Sequence, residues 1–228
     1  MYKRQGLGIE LSNWKFALLD AGLLAILVAL IAHYAFVRPK DRQIQSMMTA
    51  LEEARLKAEE LARFDSLTGV LSRRAVLEAL DEEVERARRH DNGLACLMLD
   101  LDRFKTLNDN HGHQFGDKAL RRIARVISGL CRTYDHLGRY GGEEFLLILP
   151  ETRLDAATAI AERVRLAVAD TALDRNDERI TLSIGVTEWR SDDDGSDTLI
   201  AEADWALLEA KAAGRNHVVA RRDADPPG

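Results

Sequence analysis

The distribution of apolar residues separates an N-terminal run from the rest of the chain. Residues 16–37 are almost entirely apolar, and Asp20 is the one formally charged side chain among them. As a helix, this run would extend about 33 Å, close to the hydrocarbon thickness of a bilayer. A buried core helix would keep a polar stripe, which residues 23–31 lack, and a signal peptide would end in a cleavage site, which is also absent. The pattern predicts a transmembrane helix over 16–37, preceded by a short N-terminal segment, 1–15.

Basic residues on the two sides of this run predict its orientation. Three precede it and five follow it closely: Lys3, Arg4 and Lys15, then Arg38, Lys40, Arg42, Arg55 and Lys57. Positive charge favours the cytoplasmic side. We therefore expect a single-pass protein of the inner (cytoplasmic) membrane with its C-terminal part in the cytoplasm.

A heptad pattern follows the apolar run. Residues 41–64 contain neither Pro nor Gly, and apolar or small residues recur at a and d spacing: Ile44, Met47, Leu51, Ala54, Ala58 and Leu61. Three heptads indicate a short coiled-coil stalk over 38–64, which fits a parallel dimer. An amphipathic helix packed on its own domain is the alternative interpretation.

Residues 65–220 alternate between helical and strand patterns, and residues 221–228 read as a disordered tail. The predicted elements are a helix over 72–89, a strand over 94–99, a helix over 104–110, a loop over 111–116, a helix over 117–131, a strand over 145–149, a helix over 156–167, a strand over 179–186, a helix over 199–210 and a strand over 217–220. Gly141 and Gly142 predict a β-hairpin before the strand at 145, because paired glycines supply the positive φ angles of a two-residue turn. This order predicts an α+β fold, with helices packed against one mainly antiparallel sheet.

Carboxylates occupy two places where predicted strands end. Asp100 and Asp102 follow the apolar run 94–99, and Glu143 and Glu144 lie at the hairpin tip. Adjacent acids repel each other, which suggests a bound cation or a proton-accepting role. A rigid strand end that opens to a bound phosphate is a common place for metal ligands in nucleotidyl-transfer enzymes. Asp102 alternates to the other strand face, so the two aspartates need not act together.

Composition and motifs exclude several classes of protein. The formal net charge of -6 argues against a general nucleic-acid binder. Cys96 and Cys131 stand alone, so a disulfide framework or zinc site is not expected, and a reducing compartment fits better. His111 and His113 read as surface residues of a turn rather than as metal ligands. No Rossmann or Walker glycine pattern is present.

Six sequence blocks, in order over about residues 65–220, resemble the GGDEF family of diguanylate cyclases. They are Asp65-Ser66-Leu67-Thr68-Gly69, Asp100-Leu101-Asp102-x-Phe104-Lys105-x-x-Asn108, His113-x-x-Gly116-Asp117, Arg139-Tyr140-Gly141-Gly142-Glu143-Glu144-Phe145, Ser183-Ile184-Gly185, and Ala203-Asp204 through Lys211 to Gly214-Arg215-Asn216. One departure is Leu208, where many family members have Tyr; the change removes no proposed ligand.

The resemblance implies a sheet like the palm of nucleotide polymerases and cyclases, which condenses two GTP molecules into cyclic di-GMP and releases two pyrophosphates. By the family pattern, Asp100 and Glu143, with the backbone carbonyl of Leu101, hold two Mg²⁺ ions per active site, or Mn²⁺ in their place. The substrate-binding residues implied are Asn108 and Asp117 at the guanine, and Phe104, Lys105, Gly141, Gly142, Lys211 and Arg215. Whether Glu143 also acts as a base stays open.

Simpler roles remain open for some of these residues. Lys211 and Arg215 could complement a helix dipole, and Asn108 could cap a helix. Glu144 follows Glu143 on the opposite face of the hairpin and could be structural.

The resemblance also implies a homodimer and a second binding site. One active site in the family holds one GTP, so two domains must face each other. Arg132 and Asp135 form the Arg-x-x-Asp of the family's product-inhibition site for cyclic di-GMP, and Arg163 matches a supporting arginine. The alternative for this pair is a helix-terminal arginine beside a solvated aspartate.

Two other functions compete with the cyclase. A catalytically silent receptor would keep the fold and only bind cyclic di-GMP or GTP, but it would not need the metal-binding acids. A cyclase that makes a mononucleotide is disfavoured by the guanine-binding pair.

Overall fold

The structure is a computed structural model that describes residues 7–61, 63–90, 92–174, 176–190 and 195–221. The start of the predicted N-terminal segment and the predicted tail from residue 222 lie outside these residues. The chain divides into two compact units, one up to Leu61 and one from Ala62 onward.

The first unit is helical. Helix α1 spans Leu7–Ala32, a π-helical turn spans His33–Val37, and α2 spans Arg38–Leu61. The stretch Leu18–Ala35 is long and apolar enough to cross a membrane, and no part of it is buried within the chain. The predicted boundaries of the membrane span and the stalk stay predictions. Three predicted heptad residues of α2, Ile44, Met47 and Leu51, are 56%, 67% and 72% exposed.

The second unit contains a five-stranded sheet in the order β2-β3-β1-β4-β5. The strands are β1 Leu94–Leu101, β2 His136–Arg139, β3 Glu144–Pro150, β4 Leu182–Glu188 and β5 Val218–Arg221. Only β4 and β5 pair in parallel among these strands, so the prediction of a mainly antiparallel sheet is confirmed.

Helices cover both faces of this sheet, and each face has its own core. The helices are α3 Arg73–His90, α4 Phe104–His111, α5 His113–Ser128, α6 Leu154–Ala169 and α7 Ser196–Ala212. Leu97 and Leu99 of β1 pack with α4, α5 and α6, whereas Cys96 and Met98 pack with α3 and α7. Successive residues of a strand face opposite sides, so β1 is buried throughout and its sequence is a continuous apolar run.

Three local predictions were wrong. Helix α5 begins at His113 rather than Asp117, because the break is confined to Gly112 at φ 83°. Strand β4 begins at Leu182 rather than at 179. The hairpin between β2 and β3 is present, but neither Gly141 nor Gly142 adopts a left-handed φ. The amide of Tyr140 donates to the carbonyl of Glu144 at 2.9 Å, which leaves a three-residue loop instead of a two-residue turn.

Gly185 allows α7 to pack closely on β4. A Cβ there would lie against the backbone carbonyl of Ala203 and the backbone nitrogen of Leu207, and backbone atoms cannot move aside as a side chain can.

We expect Gly185→Ala to lower the free energy of unfolding by about 3 kcal/mol. Gly129→Ala is the control, because Gly129 has φ -67° and its nearest neighbour would be 3.3 Å away. Urea unfolding, followed by the fluorescence of buried Trp189, measures both; equal stabilities would contradict this account of the packing.

Candidate active site

The pairing of β1 with β3 brings Asp100 and the hairpin tip together. Asp100 lies opposite Glu144 in the register, and the amide of Leu101 donates to the carbonyl of Glu143 at 3.2 Å. Asp100 is only 6% exposed, while Glu143 is half-buried. Two acids separated by about forty residues in sequence thus lie side by side at the end of β1.

Electrostatics oppose the ionisation of this pair. Burial raises the pKa of Asp100, and Lys211 acts in the opposite direction. Burial and the charge of Asp100 raise the pKa of Glu143. Lys211 Nζ lies 2.8 Å from Asp100 Oδ2, so one cation already compensates part of this charge.

The carboxylates of Asp100 and Glu143 fit a divalent cation that takes its remaining oxygen ligands from water or substrate. No group of three or more His, Cys, Asp or Glu side chains that could hold a metal occurs within the described parts of the chain. Mg²⁺ is commonly bound through one or two carboxylates together with water and substrate phosphates. The Asp100–Glu143 pair meets that requirement, because its two acids carry more charge than Lys211 compensates.

Asp102 has a different environment from Asp100. It accepts hydrogen bonds from the hydroxyls of Thr181 and Ser183, both at 2.6 Å, and from the backbone amide of Asn216 at 2.9 Å. These three donors occupy both carboxylate oxygens. Asp102 therefore joins the end of β1 to the start of β4 and to the turn between α7 and β5.

Asn108 on α4 lies against Gly116 on α5. Its Oδ1 is buried and has no hydrogen-bond partner among the described residues. A Cβ at Gly116 would collide with this oxygen, so glycine is the residue that leaves room for it. An unpartnered buried acceptor indicates a place for a ligand donor. Asp117 is the half-buried residue that follows Gly116.

The remaining predicted substrate residues differ in accessibility. Lys105 is exposed on α4, whereas the Phe104 side chain is 6% exposed and packs in the core. A contact between Phe104 and a substrate would therefore involve its backbone. Burial raises the pKa of Asp100, and the positive charge of Arg215, which follows α7, acts against that rise together with Lys211. Lys211 and Arg215 thus act on Asp100, which a role limited to the helix dipole would not require.

Arg139 holds the tip of the hairpin and was not singled out from the sequence, although it begins the Arg-Tyr-Gly-Gly block. Its Nε and Nη2 donate to the carbonyl of Gly142 at 3.2 and 2.6 Å. Its Nη1 lies 3.3 Å from both carboxylate oxygens of Asp65, which also accepts from the amide and hydroxyl of Thr68. Arg139 therefore links the loop that contains Glu143 to Asp65, at the start of the domain.

The two glutamates of the tip are not equivalent. The Glu144 carboxylate folds back toward Gly141, where a Cβ would meet it. Glu143 instead lies in the loop, next to Asp100 and Leu101. Gly142 has open space where a Cβ would be, so this part of the tip is accessible to a ligand.

The predicted second site lies after the end of α5. Asp135 Oδ2 accepts from the backbone amide of Arg132 at 2.6 Å, while Asp135 Oδ1 is buried and has no partner within the described residues. The Arg132 guanidinium donates to the hydroxyl of Tyr134 at 3.1 Å. Arg163 of α6 donates to the carbonyl of Leu130 at 3.4 Å. The three predicted residues thus share one surface region.

The comparison with protein families agrees with this geometry. The family model described as "Diguanylate cyclase, GGDEF domain" matches residues 62–217, more than half of the chain. The chain belongs to the diguanylate cyclase family with a GGDEF domain. The resemblance drawn from the six sequence blocks is therefore confirmed.

Characterised relatives share this domain. The chain is 40% identical over 166 residues to the response regulator PleD of Caulobacter vibrioides, covering 71% of this chain and 37% of that protein. It is 41% identical over 177 residues to diguanylate cyclase VdcA of Vibrio cholerae, covering 75% of this chain and 51% of that protein. The chain thus spans about a third to a half of these relatives.

Solved structures confirm the fold class. The GGDEF domain of DgcB from Caulobacter crescentus, in complex with c-di-GMP, matches with a TM-score of 0.67 and 32% identity, covering 69% of this chain and 92% of that one. Diguanylate cyclase SiaD from Pseudomonas aeruginosa, in complex with its activator SiaC, matches with a TM-score of 0.67 and 36% identity, covering 93% of this chain and 82% of that one.

The interaction between Asp65 and Arg139, which supports the hairpin, makes the stability of the protein depend on pH. Burial opposes its charge, but the hydrogen bonds from Thr68 and the charge of Arg139 outweigh this effect and hold its pKa below the usual value. A depressed folded-state pKa stabilises the fold above the unfolded pKa, about 3.9, and this stability is lost as pH falls through the folded pKa.

We therefore expect Asp65→Asn to destabilise the protein by about 1 kcal/mol at neutral pH. The difference from wild type should close at acid pH, where the wild-type carboxylate is also protonated. Urea unfolding at a series of pH values measures it, with Asp109→Asn, an exposed residue of α4, as the control. A difference that stays constant down to the lowest pH would contradict the assigned interaction.

Proposed function

We propose that this protein condenses two GTP molecules into cyclic di-GMP and two pyrophosphates, as a Mg²⁺-dependent homodimer. The observation that carries this proposal is the position of Asp100 and Glu143 beside each other and beside Lys211. A receptor that only bound a nucleotide would gain nothing from a pair of acids whose negative charges repel each other.

Asp100, Glu143 and the backbone carbonyl of Leu101 would hold Mg²⁺, or Mn²⁺ in its place. When bound, the metal offsets the charge that develops as the 3′-hydroxyl of one GTP attacks the α-phosphorus of the other. Without a cation, a carboxylate 4 Å from a phosphate charge would repel it by about 4 kcal/mol at an effective dielectric of 20. Lys211, already placed at Asp100, and Arg215 supply further positive charge to the triphosphate.

Asn108 and Asp117 give the site its preference for guanine. Asp117 can accept hydrogen bonds from guanine N1–H and the exocyclic amine, and Asn108 can offer both a donor and an acceptor. The unpartnered Oδ1 of Asn108 supports this assignment. Adenine has an acceptor at N1 and no amine at C2, so it would leave these protein groups unpaired.

Two chains are needed because each site holds one GTP. The predicted coiled-coil stalk over 38–64 and the predicted membrane helix would keep two domains at a high effective concentration. A solved segment described as the coiled coil and GGDEF domain of DgcB covers 83% of this chain with a TM-score of 0.67, which supports such a stalk. We place the protein in the inner membrane, with a single span and its catalytic domain in the cytoplasm.

Cyclic di-GMP would also bind as an inhibitor at Arg132, Asp135 and Arg163. Arginine guanidinium groups suit a phosphate or the guanine edge, and the unpartnered Asp135 Oδ1 can accept a guanine donor. The DgcB domain, solved in complex with c-di-GMP, is a relative that binds this nucleotide.

We expect Glu143→Gln to lower the rate of cyclic di-GMP formation by about a hundredfold or more, because a metal ligand is lost. Glu144→Gln is the matched control and should keep most of the activity, since this side chain turns toward Gly141. Both rates are measured from GTP and Mg²⁺ by chromatography of the product. Full activity of Glu143→Gln would refute the metal assignment, and an inactive wild type would favour the receptor.

We expect Arg132→Ala to leave the initial rate of GTP turnover unchanged and to relieve the later slowing by product. The substitution removes the guanidinium of the proposed inhibitory site and no residue of the active site. Progress curves with added cyclic di-GMP measure the effect, and Arg121→Ala, exposed on α5, is the control. Unchanged inhibition in Arg132→Ala would show that the product acts elsewhere.

A further inference from the structure

One face of α1 carries small side chains through the middle of the apolar stretch. Its members follow one another at spacings of three, four and three residues: Gly22, Ala25, Ala29 and Ala32. All four are exposed, and a Cβ at Gly22 would have open space around it. The opposite face carries the large exposed side chains of Leu24, Leu27 and Ile31. Small and large apolar residues are therefore on different sides of this helix.

A face of small residues suits close contact with a second helix in a membrane. Burial of apolar surface does not drive helices together there, because lipid tails are as apolar as leucine. Helices pair instead where small residues allow two backbones to approach each other. Alternating spacings of three and four residues are those of a heptad seam, in which two helices cross at about 20°. The small face of α1 has the spacing of such a seam.

Small residues alone do not identify the second helix, but the register of this face does. Counted onward without interruption, the heptad of α1 reaches Ser46 and Ala50 of α2. The apolar seam of the predicted stalk lies one residue later, at Met47 and Leu51. One residue corresponds to a rotation of about 100° around an α-helix. An uninterrupted α-helix would therefore turn the two seams to different sides.

The π-helical turn His33–Val37 lies between the two seams and corrects this difference. A π-helix bonds each amide to the carbonyl five residues earlier instead of four, so a single π turn takes up one extra residue. One residue is the difference between the two heptad registers. His33, Tyr34 and Ala35 are exposed, so burial of their side chains within the chain does not impose the turn. The turn brings the small face of α1 into line with the apolar face of α2.

We propose that two copies of this chain pack along one seam, which begins at Gly22 in the membrane and continues through the stalk. The π turn keeps the two parts of the seam in register. In a parallel symmetric pair each seam residue faces its own counterpart, so a second copy has both parts in the required order. The inference rests on the proposed homodimer and membrane span, and it adds their contact surface within the membrane.

Cysteine cross-linking of the full chain in phosphatidylcholine vesicles tests the seam. The background is Cys131→Ser, in which the remaining Cys96 is fully buried. Single cysteines are introduced at a seam residue and at the residue before it, in the membrane and in the stalk: Ala29→Cys with Val28→Cys, and Leu51→Cys with Ala50→Cys. With a membrane-permeant oxidant, we expect disulfide dimers to form about tenfold faster at the seam residue of each pair, because a disulfide needs closely facing Cβ atoms.

Ile31→Cys, on the opposite face of α1, is the control and should react at the rate of the Cys131→Ser background. Equal rates at Ala29→Cys and Val28→Cys, or an equally fast Ile31→Cys, would overturn the membrane seam. A faster reaction at Ala50→Cys than at Leu51→Cys would show an uninterrupted heptad and would overturn the role of the π turn.

Changes of length at the π turn test the register separately. Deletion of Ala35 removes the extra residue, and a plain α-helix then joins the same two seams, so both cross-linking preferences should persist. Insertion of one alanine after Ala35 moves the seams out of register, so the preference for Leu51→Cys over Ala50→Cys should be lost. Unchanged preferences after the insertion, or loss of them after the deletion, would contradict the proposal.

The cross-linking pattern does not depend on GTP turnover. If the seam cysteines reacted as expected but the chain formed no cyclic di-GMP, the seam would stand and the cyclase activity would not. If the chain formed cyclic di-GMP while Ala29→Cys and Val28→Cys reacted equally, only the seam would fail.

Discussion

The repulsion between the carboxylates of Asp100 and Glu143 is the constraint on which the site depends. Sheet pairing holds them together although burial raises the pKa of both carboxyl groups and the charge of Asp100 raises the pKa of Glu143 further. Lys211 compensates one charge at 2.8 Å and leaves the other without a close cation in the described structure. The divalent cation that we propose would relieve this repulsion, and its charge would allow a triphosphate to approach. Positive charge near the acid pair therefore stabilises its ionised form.

The rest of the domain keeps these charges in position. Arg139 fixes the loop of Glu143 from one side through Gly142 and Asp65. On the other side, Asp102 accepts a hydrogen bond from the amide of Asn216 and so fixes the turn that contains Arg215. Arg165 on α6 donates a second hydrogen bond to Asn216 Oδ1. Neither Asp102 nor Arg139 needs to contact the substrate for this. Asp102 is buried and Arg139 is half-buried, and their hydrogen bonds join segments that are distant in sequence. Their contribution is to position the residues that we propose contact the substrate.

Sequence patterns predicted most of the fold and the identity of the acids. Strand β1 and its terminal Asp100 follow from one apolar run, and the family resemblance separated Glu143 from Glu144. The roles of Asp102, Arg139 and Gly116 could not be predicted from local patterns, because they depend on contacts across the fold. Asp102 meets Asn216 114 positions later, and Arg139 meets Asp65 74 positions earlier. The hairpin turn was mispredicted because neither glycine adopts a positive φ: Gly141 leaves room for the Glu144 side chain, and Gly142 borders open space.

We propose that two such sites, one from each chain, join two GTP molecules. Identification of the product by mass spectrometry, after incubation of the full-length protein in detergent with GTP and Mg²⁺, tests it most directly. The expected product is cyclic di-GMP, with two pyrophosphates released for each molecule formed. A linear dinucleotide or a cyclic mononucleotide as the final product, or GTP binding without turnover, would contradict it.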